Sequence, residues 1–346
     1  MIRFIVLIIS WMTNMKITIF KAGKGDSLLV EWNNNKMLVD SGTPSTINKK
    51  KNHNFPSTEC LDFCIFTHID YDHIGGFLKI ISKSEVNPFK KEMVIYGNCF
   101  QNISIDNDEF VGFKHGVLLQ DELIRLGLDS NRMISGNFFE LNGALLTVLS
   151  PERQHLDLLL EKWDGHIKSN ESFKIENEYV SVNDKEFYVE LVNESLTPML
   201  DLENDIINVT SIAFLFEHER KRVMFLADSH PKIVYDNVKK LLDCRGEKFL
   251  DVDLIKLSHH GSRYNTSNEL LSVLKCNRFI ISTDGSEPYN HPHHQTLSML
   301  IASAIDQGFE DLYLYFNYER ASDFIILNED NLNIKIYKIV CVEVIL

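Results

Sequence analysis

The chain has 346 residues and carries 35 lysines and arginines against 49 aspartates and glutamates, a formal net charge of −14. A hydrophobic fraction of 44% and a charged fraction of 24% exclude a disordered, a collagen-like or a disulfide-scaffold protein. The acidic balance argues against a protein that coats nucleic acid. It does not exclude a small nucleic-acid site, because a bound metal ion inverts the local field.

The six cysteines form no CxxC pair, and a chain this long does not need disulfides, which favours reduced thiols and a cytoplasmic location. Residues 2–12 form an apolar run, IRFIVLIISWM, which is too short for a bilayer that needs about 20 apolar residues. We interpret segment 1–14 as an extra upstream start or a packed N-terminal strand rather than a secretion signal or stable membrane anchor.

The N-terminal half predicts strands first and then alternating strands and helices. Strand-like segments at 16–20 and 27–32, and a third that ends at Asp40, are separated by a glycine turn and an asparagine turn, a pattern typical of antiparallel pairs. Further elements are predicted in this order: a strand at 61–66, a helix after Gly76, a strand at 93–97, a helix at 121–128 and a strand at 144–149.

Residues 152–205 differ in composition from the segments on either side, with a predicted helix at 154–163 followed by a polar stretch. We interpret them as an insertion or lid within one domain that spans 15–346, because long irregular stretches are usually functional. The C-terminal half again alternates, with strands at 212–216, 223–226, 254–257 and 279–282 and helices at 232–242, 269–274 and 296–307. This alternation predicts a layered α/β domain.

Four potential metal ligands lie within six residues, directly after the apolar strand 61–66: His68, Asp70, Asp72 and His73. Imidazole and carboxylate groups this close together suit zinc, manganese or iron. The two glycines at 75–76 are expected to let the backbone turn sharply beside the metal.

Other polar side chains also follow predicted buried strands. Taken by itself, Asp40 is typical of a turn, and Asp228 is typical of a helix N-cap. The pair His259–His260 suggests one ligand plus one group that transfers a proton or contacts phosphate, and His291 follows the next strand. Their repeated placement at strand ends favours a shared site.

The order of motifs resembles the metallo-β-lactamase superfamily: DSG at 40–42, THIDYDHIGG at 67–76, LAD at 226–228, SHHGS at 258–262 and HP at 291–292. Within it, the chain resembles the competence-type hydrolase domains associated with DNA uptake, which share a GxGD-like turn, here GKGD at 23–26. The resemblance covers about residues 15–310. It implies a four-layer αββα sandwich with a metal site at one edge of the two sheets.

The resemblance also implies a ligand set for two divalent ions. His68 and Asp70 would hold the first ion and Asp72 and His73 the second, with Asp228 between them. Zinc is favoured, and manganese is an alternative because Asp70 stands where the common pattern has histidine and a carboxylate is the harder ligand.

The second ion would be completed by His259. The SHHGS string is similar to the last ligand motif of tRNA 3′-end processing nucleases of this superfamily, where the first histidine is the ligand, which favours His259 over His260. Asp40 would orient a ligand through a hydrogen bond.

A further histidine usual in the superfamily has no clear match. Asn208 lies where the competence-type subgroup has a similar Asn-x-x-Ser, and His155 and His166 are alternatives within the insertion. Whether one or two ions are bound therefore stays open.

The implied activity is hydrolysis by a metal-bound hydroxide that Asp72 and Asp228 orient, while His260 or His291 protonates the leaving group or stabilises its charge. The competence-like and nuclease-like motifs favour phosphodiester bonds of nucleic acid or nucleotides. A local basic rim beside the site would consist of four residues near these motifs: Lys21, Lys24, Lys256 and Arg263.

Two alternatives remain. One is a carboxylic ester or thioester hydrolase of the same fold, because this fold hosts several chemistries. The other is a regulatory or scaffold protein with a structural metal site, which binds a partner through 152–205 and belongs to a bacterial defence system, beside whose genes similar hydrolases occur.

Overall fold

The structure, a computed structural model, describes residues 15–98, 111–169, 187–189, 205–323, 325–327 and 333–346. The N-terminal segment 1–14 lies outside the described residues, and so does most of the predicted insertion.

In the described part of the chain, one large sheet has seven strands. They are β1 (Lys16–Ile19), β2 (Leu28–Trp32), β3 (Asn35–Val39), β4 (Phe63–Phe66), β5 (Val94–Gly97), β6 (Ser130–Asn131) and β19 (Glu343–Ile345). Their spatial order is β19-β1-β2-β3-β4-β5-β6. The predicted meander is present, since β1, β2 and β3 pair antiparallel, whereas β3, β4 and β5 run parallel.

The second large sheet has eight strands among the described residues. They are β7 (Phe138–Leu141), β8 (Ala144–Ser150), β10 (Ala213–His218), β11 (Lys221–Phe225), β13 (Leu254–Lys256), β15 (Arg278–Ile281), β16 (Asp311–Phe316) and β18 (Lys335–Val340). The order is β18-β16-β15-β13-β11-β10-β8-β7, with the run from β11 to β18 parallel. Two short parallel pairs join β9 (Phe187–Val189) to β17 (Ile325–Leu327) and β12 (Leu250–Asp251) to β14 (Leu274–Lys275).

The helices follow the strands in alternation, as the sequence predicts. They are α1 (Tyr71–Ile81), α2 (Val111–Arg125), α3 (Arg153–Ser169), α4 (Ile206–Val209), α5 (Pro231–Arg245), α6 (Asn268–Val273), α7 (His294–Asp306) and α8 (Glu319–Asp323). Among the described residues, none of these helices has the length and apolar content to span a membrane.

Three apolar layers hold the sheets and helices together. Between the sheets, Trp32 of the first sheet packs edge-on against Phe216 of the second at 4.9 Å. Leu38 and Phe77 belong to the layer between the first sheet and α1, and Ile255 belongs to the layer between the second sheet and α5, α6 and α7. Helices cover both outer faces of two packed sheets, so the predicted four-layer αββα sandwich is confirmed.

Helix α1 begins earlier than the sequence predicts. It starts at Tyr71, inside the central motif, so the two glycines at 75–76 lie within the helix and the predicted sharp turn beside the metal is wrong. The glycines serve close packing instead, because a Cβ on Gly76 would overlap the carbonyl oxygen of Ser41. The amide of Gly76 also donates to the Gly42 carbonyl at 2.8 Å.

The carboxyl ends of five strands meet at one edge of the sandwich. In the first sheet β3 and β4 run parallel, and in the second sheet β11, β13 and β15 run parallel. Parallel strands end at the same edge, where open α/β sheets commonly bind ligands. The polar side chains that follow these strands are therefore brought to one place.

Replacing Gly76 with alanine tests the packing of α1. An alanine normally stabilises a helix by about 1 kcal/mol over glycine. Here the added methyl meets the Ser41 carbonyl, so we expect a loss of about 1–3 kcal/mol in the free energy of unfolding. Urea denaturation measures it, with Glu161→Ala at an exposed position of α3 as the control; a stabilised Gly76→Ala protein would contradict this packing.

Candidate metal centre

Asp40 lies directly after β3 and orients the two histidines of the central motif. Its carboxylate is buried and accepts hydrogen bonds from the Thr67 amide at 2.9 Å, the Thr67 hydroxyl at 2.6 Å and the His73 Nδ1 at 2.8 Å. The Thr67 hydroxyl also lies 3.0 Å from the Nδ1 of His68. With both Nδ1 atoms engaged, the Nε2 atoms of His68 and His73 are left to face the cluster.

The central motif joins the end of β4 to the start of α1. Asp70 is the N-cap of α1, and Asp72 lies in its first turn, where the helix dipole favours a negative charge. His68 and His73 are buried, whereas the side chain of Asp70 is 35% exposed. Asp70 and Asp72 therefore lie on the more exposed side of the site, and the imidazoles of His68 and His73 lie on its buried side.

The second sheet contributes its groups from a strained backbone. His259 and His260 have φ angles of +43° and +58°, and Ala227, just before Asp228, has a φ of +45°. Non-glycine residues in this region cost about 1–3 kcal/mol each and cluster at functional sites. The His259 amide donates to the Ala227 carbonyl at 2.8 Å, which ties the two strand ends together.

Asp228 lies at the centre of the cluster. Its Oδ2 is 4.0 Å from the Nε2 of His68, 3.6 Å from that of His73, 3.8 Å from that of His259 and 3.9 Å from that of His260. The structure thus brings together the predicted residues of both halves of the chain around one carboxylate.

Among the described residues, three groups of side chains suit a divalent ion, with ligand atoms within 4.8 Å of one another. His68, His73 and Asp228 form the first group, and Asp72, His73 and His260 form the second. A third group consists of the side chains of Asp26, Asp40 and His73. The structure therefore places His73 at the overlap of the groups and His260 beside Asp72.

The donor atoms of the first group fit a divalent cation. The Nε2 atoms of His68 and His73 and the Oδ1 of Asp228 are buried and have no hydrogen-bond partner in the described part of the structure. Unsatisfied buried polar atoms are costly, and a coordinated cation removes that cost. Both His259 and His260 lie within 4 Å of Asp228, so which of them is a ligand stays a prediction, as do the two-ion assignments.

The charges of the cluster compensate one another. Burial raises the pKa of Asp228, but the imidazoles of His259, His73 and His260 more than offset this and hold the pKa well below its usual range. Burial lowers the pKa of His73, but Asp228 and Asp40 outweigh it and raise the pKa well above 6.5. A metal ion that binds the His73 imidazole would therefore displace a proton from it.

His260 and His291 lie side by side at the second-sheet edge of the cluster. The Nδ1 of His260 donates to the Ser282 carbonyl at 2.7 Å, which turns its Nε2 toward Asp228. The ring of His291 lies 6.1 Å from that of His260. Burial lowers the pKa of His291 well below its usual value, so its imidazole is neutral at neutral pH.

Other predicted residues are not among the side chains grouped around Asp228 in the described part of the structure. The amide of Asn208 donates to Asp205 at 3.2 Å, and no bond from it to the cluster is present among the described residues. His155 lies in the first turn of α3, and the side chain of His166 lies outside the described residues. The placement of Lys256 in an exposed basic rim is wrong, because its side chain is 1% exposed and paired with Asp26.

Sequence reasoning missed two residues beside the site. Thr67 links Asp40 to His68 but stands in the motif without an obvious chemical role. The ring of His115, on α2, stacks on Tyr71 at 4.4 Å. Only a residue's spatial neighbours reveal such roles, because α2 is separated from the motif by an intervening strand.

Fold and site together define an αββα protein with a cluster of histidines and aspartates suited to divalent metal ions. No family model matches the chain. It is 33% identical to the ComE operon protein 3 of Bacillus subtilis over 73 residues, which is 20% of this chain and 9% of that protein.

Three solved structures are similar over nearly the whole chain. The metallo-β-lactamase fold protein YhfI from Bacillus subtilis has 13% identity, a TM-score of 0.46 and coverage of 96% of this chain and 99% of that one. A diphosphatase from the PhnP family has 12% identity, a TM-score of 0.43 and coverage of 96% and 98%. Zn²⁺-bound PqqB from Methylobacterium extorquens has 11% identity, a TM-score of 0.43 and coverage of 95% and 99%.

Removing the Asp40 carboxylate tests its orienting role. We expect Asp40→Ala to weaken Zn²⁺ binding by about 10–100-fold, the usual effect of losing a group that orients metal-bound histidines. Competition with a chromophoric chelator measures the affinity, with exposed Asp236→Asn on α5 as the control. Unchanged affinity in Asp40→Ala would show that the histidines hold their orientation without it.

Metal binding should release protons, because the His73 imidazole must lose its proton to bind an ion. Its pKa is raised well above 6.5 by Asp228 and Asp40, against the lowering by burial, so the metal-free imidazole is charged at neutral pH, whereas a ligand must be neutral. We therefore expect Zn²⁺ affinity to fall as pH is lowered and at least one proton to leave per ion at pH 7. Titration calorimetry in buffers of different ionisation enthalpy measures the release, and a heat that does not depend on the buffer would contradict it.

Proposed function

We propose that the chain is a metal-dependent hydrolase of the metallo-β-lactamase superfamily that cleaves phosphodiester bonds. The observation that carries this proposal is the convergence on Asp228 of buried imidazoles from both sheets, with His68 and His73 leaving unsatisfied Nε2 atoms. Asp70 and Asp72 lie on the open side. A structural metal site is closed, whereas a catalytic one keeps an open position.

A divalent ion at this position would lower the pKa of water toward neutrality and polarise a phosphoryl oxygen. The chain's own groups would hold the ion through the neutral Nε2 atoms of His68 and His73 and the carboxylate of Asp228. Asp72 and Asp228 carry the negative charge that would accept a hydrogen bond from the attacking water and orient it. Zinc suits the imidazoles, and manganese is the alternative because the set also contains carboxylates.

His291 would act as a neutral hydrogen-bond donor. Burial, together with neighbouring imidazoles that include His259, lowers its pKa, so at neutral pH it offers one N–H without carrying a charge. Such a donor would stabilise negative charge that develops on the leaving oxygen. His260 uses its Nδ1–H on the Ser282 carbonyl, which favours His260 as a ligand or acceptor.

One cation near His291 supports an anionic substrate. Lys24 lies over the ring of Tyr289 at 4.8 Å, and that ring stacks on His291 at 5.9 Å. A phosphate bound beside His291 would lie near the Lys24 ammonium, which attracts its negative charge. The guanidinium of Arg263 donates instead to the Tyr264 hydroxyl at 2.7 Å.

The net charge of −14 favours a nucleotide or a short nucleic acid over a long duplex, because extended contact with phosphates needs many cations. The ester, thioester and scaffold alternatives are outcomes of the same test. A protein partner for the 152–205 insertion stays a prediction.

Hydrolysis of bis(p-nitrophenyl) phosphate by protein loaded with Zn²⁺ or Mn²⁺ tests the proposal. We expect turnover that a chelator abolishes and that Asp228→Asn lowers more than about 100-fold, since it disturbs the centre more than the loss of an outer group would. Asp236→Asn, an exposed carboxylate change on α5, is the matched control and should keep full turnover.

Parallel assays with p-nitrophenyl acetate and a thioester separate the alternatives. Faster metal-dependent cleavage of either one would replace the phosphodiester proposal with an ester or thioester hydrolase. Metal binding with no turnover of any of the three substrates would leave the scaffold as the better account.

A further inference from the structure

A buried ion pair lies directly behind the metal cluster. Asp26 and Lys256 are each 1% exposed, and the Lys256 ammonium donates to the Asp26 carboxylate. Asp26 belongs to the turn between β1 and β2 of the first sheet, and Lys256 is the last residue of β13 in the second. The pair therefore joins the two sheets at the edge where both contribute ligands.

The Lys256 end of the pair reaches the loop that presents Asp228. Its ammonium also donates to the carbonyl of Ala227, the residue just before Asp228, at 3.3 Å. His259 follows Lys256 by three positions. Lys256 therefore contacts the loop after β11, which presents Asp228, and itself ends β13, the strand that precedes His259. Taking two charges out of water is expensive, and apolar residues of similar size often stabilise a fold as well or better. Stability alone is therefore a poor reason for this pair.

The Asp26 end reaches the other half of the centre. The preceding residue, Gly25, packs so closely on the central motif that a Cβ there would overlap the carbonyl oxygen of Asp72. The Ser282 hydroxyl donates to the Gly25 carbonyl at 3.4 Å. The turn thus touches both the motif that carries Asp72 and the end of β15.

Asp26 also faces the ring of His260. Its Oδ1 lies 3.5 Å from the His260 Nδ1, whose proton goes to the Ser282 carbonyl at 2.7 Å. A carboxylate and a carbonyl on the same side both favour a proton on Nδ1. The Nε2 of His260 then keeps its lone pair and points at Asp228, 3.9 Å away.

We propose that Asp26 and Lys256 are positioning residues of the metal centre, which set the spacing of its two halves and fix the tautomer of His260. This inference rests on the proposed function, because it assigns the pair to the same centre. Neither residue contacts the reacting atoms. Their effect passes through His260, Ala227 and the backbone of Asp72.

Four variants test the pair: Asp26→Asn, Lys256→Met, the double variant with both changes, and Lys221→Met as the control. Lys221 pairs with Asp253 at 3.1 Å and links β11 to the start of β13, at the opposite end of β13 from Lys256 and with 40% of its side chain exposed. The control removes a lysine ion pair between neighbouring strands of the second sheet without approaching the centre. Zn²⁺ affinity, the thermal midpoint and turnover of bis(p-nitrophenyl) phosphate are measured for each.

Zn²⁺ affinity should fall about 10–100-fold in Asp26→Asn and in the double variant, and stay within about twofold of wild type in Lys221→Met. Lys256→Met should lose more thermal stability than the double variant, because it alone leaves a buried carboxylate uncompensated. If the double variant regains stability but not affinity, the pair positions the centre. If it keeps both wild-type affinity and turnover, the proposal is overturned.

The ¹⁵N chemical shifts of the His260 ring give a readout that a purely structural pair would not move. We expect the Nδ1–H tautomer in wild type and a mixture in Asp26→Asn, a near-isosteric change that keeps the proposal testable if Lys256→Met does not fold. An unchanged His260 tautomer together with unchanged Zn²⁺ affinity refutes the positioning role. Both readouts need no substrate, so a wild-type protein that binds Zn²⁺ but hydrolyses nothing would defeat the proposed function alone.

Discussion

The carboxylate of Asp228 constrains the whole structure, because four imidazole Nε2 atoms lie within 4.0 Å of its Oδ2. Two of those imidazoles come from the first sheet and two from the second. So many polar groups can share a buried volume only if their charges compensate or a cation joins them. The ends of β4, β11 and β13 must therefore meet within a few ångströms, and the packing of one sheet on the other brings them together.

Backbone strain collects where those strands end. Asp40, Ala227, His259 and His260 all have positive φ angles, from +43° to +58°. At each of these residues the chain bends sharply. Its own polar side chain, or for Ala227 that of the following Asp228, then points into the cluster rather than along the strand. The surrounding apolar layers hold these conformations in place, since a well-packed core resists local relaxation. The site is thus built on strand ends that the packed core holds in place.

The central motif was predictable because its residues are local. His68 and His73 follow one apolar strand, and a turn or helix start of this length keeps them together whatever the rest of the chain does. Lys256 was misread for the opposite reason, since a lysine at a strand end is usually exposed. Its partner Asp26 is 230 positions away, and only the packing of one sheet on the other brings the two together. The helix start at Tyr71 was also missed, because the glycines at 75–76 favour a turn by local propensity, whereas in the fold the Gly76 amide donates to the Gly42 carbonyl and the Phe77 amide to the Ser41 hydroxyl.

The layered fold, the order of strands and helices, and the polar residues at strand ends can be predicted from the chain, because hydrophobic periodicity and local spacing encode these features. The atoms of those residues that face one another cannot be predicted in this way. The packed sheets turn His260 rather than His259 toward the backbone of Ser282 and place Asp26 behind it. Side-chain orientation depends on backbone angles and on contacts between the two sheets, and neither is a property of neighbouring residues in the chain.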